Sequence, residues 1–280
     1  MSAVAYVVDT LVWARRILRE EPRPGRARLL LLYFKLRAKL LCRRFLPERS
    51  LRRETILGFH VECFDYCSLV FLFEEIFLRR DYEFVAPSER PLIVDCGSNI
   101  GVALLFFKRL YPKARVVAFE PSAATFGALE RNVAANGLQD VELHNVALHE
   151  AAGELTLYED PAHPGSGKNS LQAERAGGRP CVVDARPLSE FVCERVDFLK
   201  MDIEGAEEGV LAELAQSGRL KLVQQMVIEY HHHINPREDR LSRLLGLLEE
   251  NGFGYQMRVP QEQTSSRESF QDLLIYAYQK

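Results

Sequence analysis

The chain has no pair of cysteines at C-x-x-C spacing, and its six cysteines, Cys42, Cys63, Cys67, Cys96, Cys181 and Cys193, form no regular framework. That excludes a disulfide-stapled scaffold and a structural zinc site, and it fits a reducing cytoplasm. Long apolar runs are also missing. Ala3–Ala14 is broken by Asp9, has no basic stretch before it and shows no clear cleavage site, so it makes a poor signal peptide. Leu29–Leu41 contains Lys35, Arg37 and Lys39, which leaves it too short and too charged to span a bilayer. No transmembrane helix is expected, and the absence of any internal repeat sets aside a repeat architecture.

What is present suffices for one large core. The 280 residues are 47% hydrophobic and 27% charged with both signs, which describes a folded domain with residues left over for a smaller appendage. The net charge of -3 conceals an asymmetry: residues 1–53 carry a balance of +10 and the remainder -13. A basic N-terminal segment suits an acidic membrane surface, nucleic acid or a merely solvated helical face, and charge alone does not choose between them.

Residues 1–50 read as two helices separated by the breaker Glu21-Pro22-Arg23-Pro24-Gly25. Residues 51–90 read as an edge-covering segment, with a short strand at Ile56–Glu62 and an apolar helix at Leu69–Arg79 leading into Tyr82–Phe84. From residue 91 short apolar runs alternate with helical stretches, the pattern of a parallel sheet wrapped by crossover helices. The expected strands are Leu92–Cys96, Arg115–Phe119, Val141–Ala147, Val196–Met201 and Leu222–Tyr230, with Asp272–Tyr278 inserting last. Helices are expected at 101–110, 122–136, 206–216 and 238–250. Two strands, Gly153–Glu159 and Cys181–Asp184, flank a Gly- and Pro-rich loop at 160–180, and Lys168, Asn169 and Ser170 in it read either as closing over the acceptor or as part of a solvated loop.

The strand Leu92–Cys96 runs into the turn Gly97-Ser98-Asn99-Ile100-Gly101 and then a helix whose first N–H groups are free. Glu120 ends the next strand about 20 residues on, where a carboxylate accepts hydrogen bonds from ribose hydroxyls. Together these point to a nucleoside ligand. Dinucleotide sites use G-x-G-x-x-G to bring bare backbone against a pyrophosphate; here the spacing is Gly97-x-x-x-Gly101, and Asp95 would repel phosphates while suiting the ammonium and sulfonium of S-adenosylmethionine. An NAD-dependent oxidoreductase is therefore the lesser alternative.

The runs Asp95–Gly101, Phe119-Glu120-Pro121, Asn145-Val146-Ala147-Leu148 and Lys200-Met201-Asp202-Ile203-Glu204-Gly205-Ala206-Glu207 together resemble the FkbM family of methyltransferases. The likeness covers roughly residues 55–280. It implies a Rossmann-like, seven-stranded class I methyltransferase sheet over 91–280, here with an N-terminal helical appendage. It also implies S-adenosylmethionine as cofactor and O-methylation of a hydroxyl on a small molecule, sugar or natural product. Carried over by position, Asp95, Gly97, Asn99 and Gly101 would hold the methionyl end, Glu120 the ribose, and Asn145 and Ala147 would border the adenine. For Asn145 a turn role is the competing reading.

Asp202 and Glu229 stand at strand carboxyl ends, where ligands of open α/β sheets bind. Alternation places Glu229 and His231 on one side of their strand and His232 on the other. A hydroxyl acceptor has to lose a proton, for which Asp202 is the first candidate and His231, ordinarily titrating near neutrality, the second. Asp202, Glu229 and His231 form a conceivable divalent-cation site, in the manner of magnesium-assisted O-methyltransferases, although a metal is not expected. Glu207 and Glu208 read as first-turn acids that favour the helix dipole. His60 and His144 read as structural. The acidic core and the lack of an Asn-Pro-Pro-aromatic motif argue against nucleic-acid methylation. A methyltransferase-like scaffold recruited only for binding is the non-enzyme alternative.

Overall fold

The computed structural model describes residues 3–20, 23–159, 170, 178–232, 241–259 and 271–280. It divides into two compact units, Met1–Asp81 and Tyr82–Lys280.

In the first unit, helices α1 (Ala3–Glu20) and α2 (Arg23–Leu41) meet around Arg37. Its guanidinium is buried, pairs with Asp9 and Glu74, donates to the Tyr6 carbonyl, and lies 4.0 Å from the Tyr6 ring centroid. A short helix α3 (Glu48–Leu51) leads into β1 (Arg53–Ile56) and β2 (Phe59–Glu62). These form an antiparallel hairpin, not the single strand expected over Ile56–Glu62. The reason is local: Leu57 and Gly58 both take positive φ, 52° and 105°, the backbone of a tight two-residue hairpin turn. Glu54 of β1 is buried, which by itself would raise its pKa. Hydrogen bonds from Lys35, the Thr55 amide, Lys39 and Tyr66 outweigh that and bring it down to about 2. Helix α4 (Tyr66–Phe73) starts earlier than expected because Asp65 caps it, accepting from the Ser68 amide at 2.6 Å; a π turn, Glu74–Leu78, follows.

The second unit is built on a seven-stranded sheet. Its strands are β3 (Leu92–Cys96), β4 (Arg115–Phe119) and β5 (Val141–His144), then β9 (Phe198–Met201), β10 (Gln225–His232), β11 (Phe253–Arg258) and β12 (Gln271–Gln279). The order is β11-β12-β10-β9-β3-β4-β5, and β12 alone runs antiparallel to its neighbours. Helices α5 (Val102–Leu110), α6 (Ala123–Ala135), α7 (Glu207–Gln216) and α8 (Leu241–Glu250) follow β3, β4, β9 and β10. Residues 238–240 of the expected last helix lie outside the described residues.

All five residues of β3 are buried, as a central parallel strand covered on both faces requires. The chain leaves β3 toward β5 on one side and resumes at β9 on the other, so the strand order reverses between β3 and β9. β11 had no place among the expected strands; Phe253 and Tyr255 alternate with Gly254 and Gln256, a pattern too short to stand out beside the helix before it.

The strand expected over Val141–Ala147 is two. β5 stops at His144, and the exposed Asn145 turns the chain, its amide donating to the carbonyls of Glu120 (2.8 Å) and Pro121 (3.0 Å). Ala147 then enters β6 (Ala147–Leu148) of a separate sheet with β7 (Gly153–Glu159) and β8 (Arg179–Arg186), in the order β6-β8-β7.

Candidate active site

The reversal of strand order sets the site at the carboxyl ends of β3 and β9, where the two outgoing chains part and leave a crevice. Gly97 can occupy its place only as glycine. Its φ is +81°, and a Cβ there would stand 1.8 Å from the Asp202 carbonyl oxygen. Gly101, φ +89°, is buried, and a Cβ there would stand 2.7 Å from a Leu129 methyl of α6. Between them Asn99 also has positive φ, 49°.

The amides of this turn are committed. Gly97 and Ser98 donate to the Phe119 carbonyl, Asn99 to Glu120, Ile100 to the Asn99 side chain and Gly101 to the Ser98 carbonyl. The free N–H groups expected here are those of the first turn of α5, which begins at Val102, one residue beyond the turn.

Glu120 is nearly enclosed. Its Oε2 accepts from the Asn99 amide and Oε1 from the Ser122 amide, each at 3.0 Å. Burial raises its pKa to about 7, with the two amides and the Lys200 charge opposing. Each carboxylate oxygen has lone pairs for two hydrogen bonds and takes one amide, so both keep capacity for a ligand hydroxyl.

Asp95 lies fully out of solvent beneath the turn, and neither carboxylate oxygen has a hydrogen-bond partner among the described residues. Burial raises its pKa, with Lys200 opposing. Lys200, paired with Asp95 in the β3–β9 register, is the group sequence reasoning missed. Its ammonium donates to the Gly97 carbonyl at 2.6 Å, and stands 3.2 Å from Asp202 Oδ2 and 3.6 Å from Asp95 Oδ1. Burial works against that ammonium, but Asp202 and Asp95 prevail and its pKa is raised.

Asp202 ends the line of β9 with its side chain partly exposed, between Lys200 and His231, whose Nε2 is 3.8 Å from Oδ1. Glu229 and His231 share a side of β10, as alternation requires. Glu229 accepts from the Tyr82 hydroxyl at 3.1 Å. His231 is buried, with Nδ1 2.9 Å from Glu207 and Nε2 3.3 Å from Glu204. Burial would lower its pKa, but Glu204, Glu207 and Asp202 hold it well above 6.5, so the near-neutral titration expected of it does not hold. Glu207 also accepts from the amides of Ile203 and Gly205, which ties the loop after β9 to β10. That loop is left-handed at both Glu204 (φ 54°) and Gly205 (φ 106°).

Ser170, from the expected lid, is buried, pairs with Tyr158 and donates to the Glu204 carbonyl at 2.7 Å, so the insertion reaches the site loop. Lys168 and Asn169 lie outside the described residues. The ligand atoms of Asp202, Glu229 and His231 all fall within 4.8 Å of one another.

Comparison with known proteins gives the family. The model of the FkbM methyltransferase domain matches residues 95–255, from Asp95 of β3 into β11. The methyltransferase sdnD of Sordaria araneosa is 33% identical, the match covering 65% of this chain and 81% of that one. Methyltransferase 1 of Beauveria bassiana is 30% identical, with coverages of 68% and 83%. The 31-O-demethyl-FK506 methyltransferase FkbM of Streptomyces tacrolimicus is 26% identical, with coverages of 65% and 81%. With its turn, its switch-point acids and its seven strands all inside or beside the matched span, the chain belongs to the FkbM family of S-adenosylmethionine-dependent methyltransferases.

Proposed function

We propose that this chain methylates a hydroxyl oxygen of a small molecule, sugar or glycan, with Asp202 orienting the hydroxyl and taking its proton. One observation carries the reading: Asp202 is a partly exposed carboxylate at the switch point, fixed by Lys200 on one side and facing His231 on the other. The name of the Streptomyces relative specifies an O-methyl position on its own substrate, which supports oxygen as the acceptor atom.

The residues present fit the cofactor. Five carboxyl groups, Asp95, Asp202, Glu204, Glu207 and Glu229, share this end of the sheet with two cations, Lys200 and His231, and such a site favours a positively charged ligand. Bound S-adenosylmethionine supplies an electrophilic methyl group on a sulfonium. Glu120 would take the ribose hydroxyls, and Gly97 and Asn99, both partly exposed, would line the methionyl end. Asp95 and Gly101 act from beneath the turn, Asp95 through its field. Asn145 stands at the rim beside Pro121, whereas Ala147 is buried in the second sheet and is at most a wall behind the adenine. His231, protonated between carboxylates, is a positioning group rather than a base, and Glu229 shapes the acceptor side with Tyr82.

Alignment of the acceptor oxygen with the methyl carbon does most of the work, and proton removal by Asp202 adds on the order of 10²–10⁴ in rate. Asp202→Asn keeps the shape and removes the basicity. Assayed for methyl transfer against a panel of hydroxylated acceptors, it should bind S-adenosylhomocysteine nearly as wild type does while turnover falls by about 10²–10⁴. Near-normal turnover would remove Asp202 from the chemistry. The cluster of Asp202, Glu229 and His231 supports a second reading, in which a divalent cation displaces the His231 proton, is held by these three residues and would hold the acceptor oxygen. Wild-type activity lost to a chelator and restored by magnesium would put that reading first.

A further inference from the structure

The basic N-terminal segment is unused by the chemistry, and in the first unit it presents apolar side chains to solvent. α2 is apolar on two faces. One face is buried through Leu29, Tyr33, Leu36 and Leu40. On the opposite face Leu31, Phe34 and Leu41, with Phe45 in the turn that follows, stand three, seven and four residues apart and are exposed, Leu31 by 73% and Phe45 by 88%. An apolar stripe on the solvent side of a helix is ordinarily covered by a partner or a surface. α1 repeats the arrangement: Ala14 and Ile17 face inward, while Val7, Leu11, Val12 and Leu18 face solvent at 49–59% exposure.

Cations edge both stripes. Arg28 lies beside the stripe of α2, as does Lys35, whose ammonium is already paired with Glu54; Arg43 and Arg44 adjoin Phe45, and exposed Arg15 and Arg19 lie among the outward side chains of α1. Residues 1–53 carry a balance of +10. That charge sets a second copy of the same face against itself, and it complements an anionic surface. Apolar side chains that enter the acyl boundary, with arginine and lysine beside them at headgroup level, are what an interfacial helix needs. No described helix is long and apolar enough to cross a membrane, so the contact is peripheral.

We infer that α1, α2 and the Phe45 turn dock the protein on the surface of an anionic lipid bilayer, with Leu31, Phe34, Leu41 and Phe45 inserting and the arginines holding acidic headgroups.

Co-sedimentation of the full chain with vesicles of phosphatidylcholine, with and without phosphatidylserine, tests it. The protein should pellet with the phosphatidylserine vesicles, release as salt is raised, and bind neutral vesicles weakly. Leu31→Ser with Phe45→Ser, and separately Arg43→Glu with Arg44→Glu, should each weaken binding about tenfold or more. All four positions are exposed, so both pairs should keep the wild-type thermal transition. Failure to pellet with anionic vesicles, or equal binding by wild type and both variants, overturns the inference. So does sedimentation velocity showing a dimer that Leu31→Ser with Phe45→Ser dissolves, since the apolar face would then be covered by a second copy.

Discussion

At Glu120, burial and ligand binding pull on the same proton. Enclosure raises its pKa to about 7, whereas ribose hydroxyls donate best to the ionised form. Below about pH 7 the carboxyl stays neutral and must lose its proton before it serves as a full acceptor. Affinity for S-adenosylhomocysteine should therefore fall as pH drops through 7, by up to roughly tenfold per unit, and level off above it. Glu120→Gln should flatten that profile and weaken binding near pH 8 by about 1–3 kcal/mol. A wild-type affinity that stays constant from about pH 5.5 to 8 would detach Glu120 from the ribose. Asp95, Gly97 and Glu120 are legible in the sequence because each is defined by the end of its own strand. The surroundings of His231 are not. Glu204 and Glu207 come from β9's loop and the start of α7, and only the β9–β10 pairing brings them to the ring.

Among the elements, the glycine turn is the least forgiving. Gly97→Ala puts a methyl group into the Asp202 carbonyl at a positive φ, and nothing flexible is there to yield. It should cost roughly 2–4 kcal/mol in denaturant unfolding and abolish cofactor binding. Gly137→Ala, also at positive φ (57°) but in open space, should cost only about 1–2 kcal/mol from backbone strain. Equal costs would show that the contact with Asp202 does not constrain the turn. The parallel strands themselves were readable as short apolar runs. What escaped was where pairing changes partner: Asn145 ends β5 through bonds to distant carbonyls, and the Leu57-Gly58 turn folds one expected strand into two. Both depend on single residues whose conformation a hydrophobic pattern does not report.

For the whole molecule, the charge asymmetry visible in the sequence divides the chain into a basic part and an acidic part. The basic first 53 residues hold the exposed apolar stripes, and the acidic remainder holds the carboxyl-rich end of the sheet. The Gly97-x-x-x-Gly101 spacing and the carboxyl groups at this end of the sheet suit a cationic nucleoside better than a dinucleotide. Isothermal calorimetry of the full chain against S-adenosylmethionine, S-adenosylhomocysteine and NAD tests this most directly. Saturable heats with both methionine-derived ligands, lost in Glu120→Ala, and none with NAD are the predicted result; binding of NAD with no response to either of the others would contradict it.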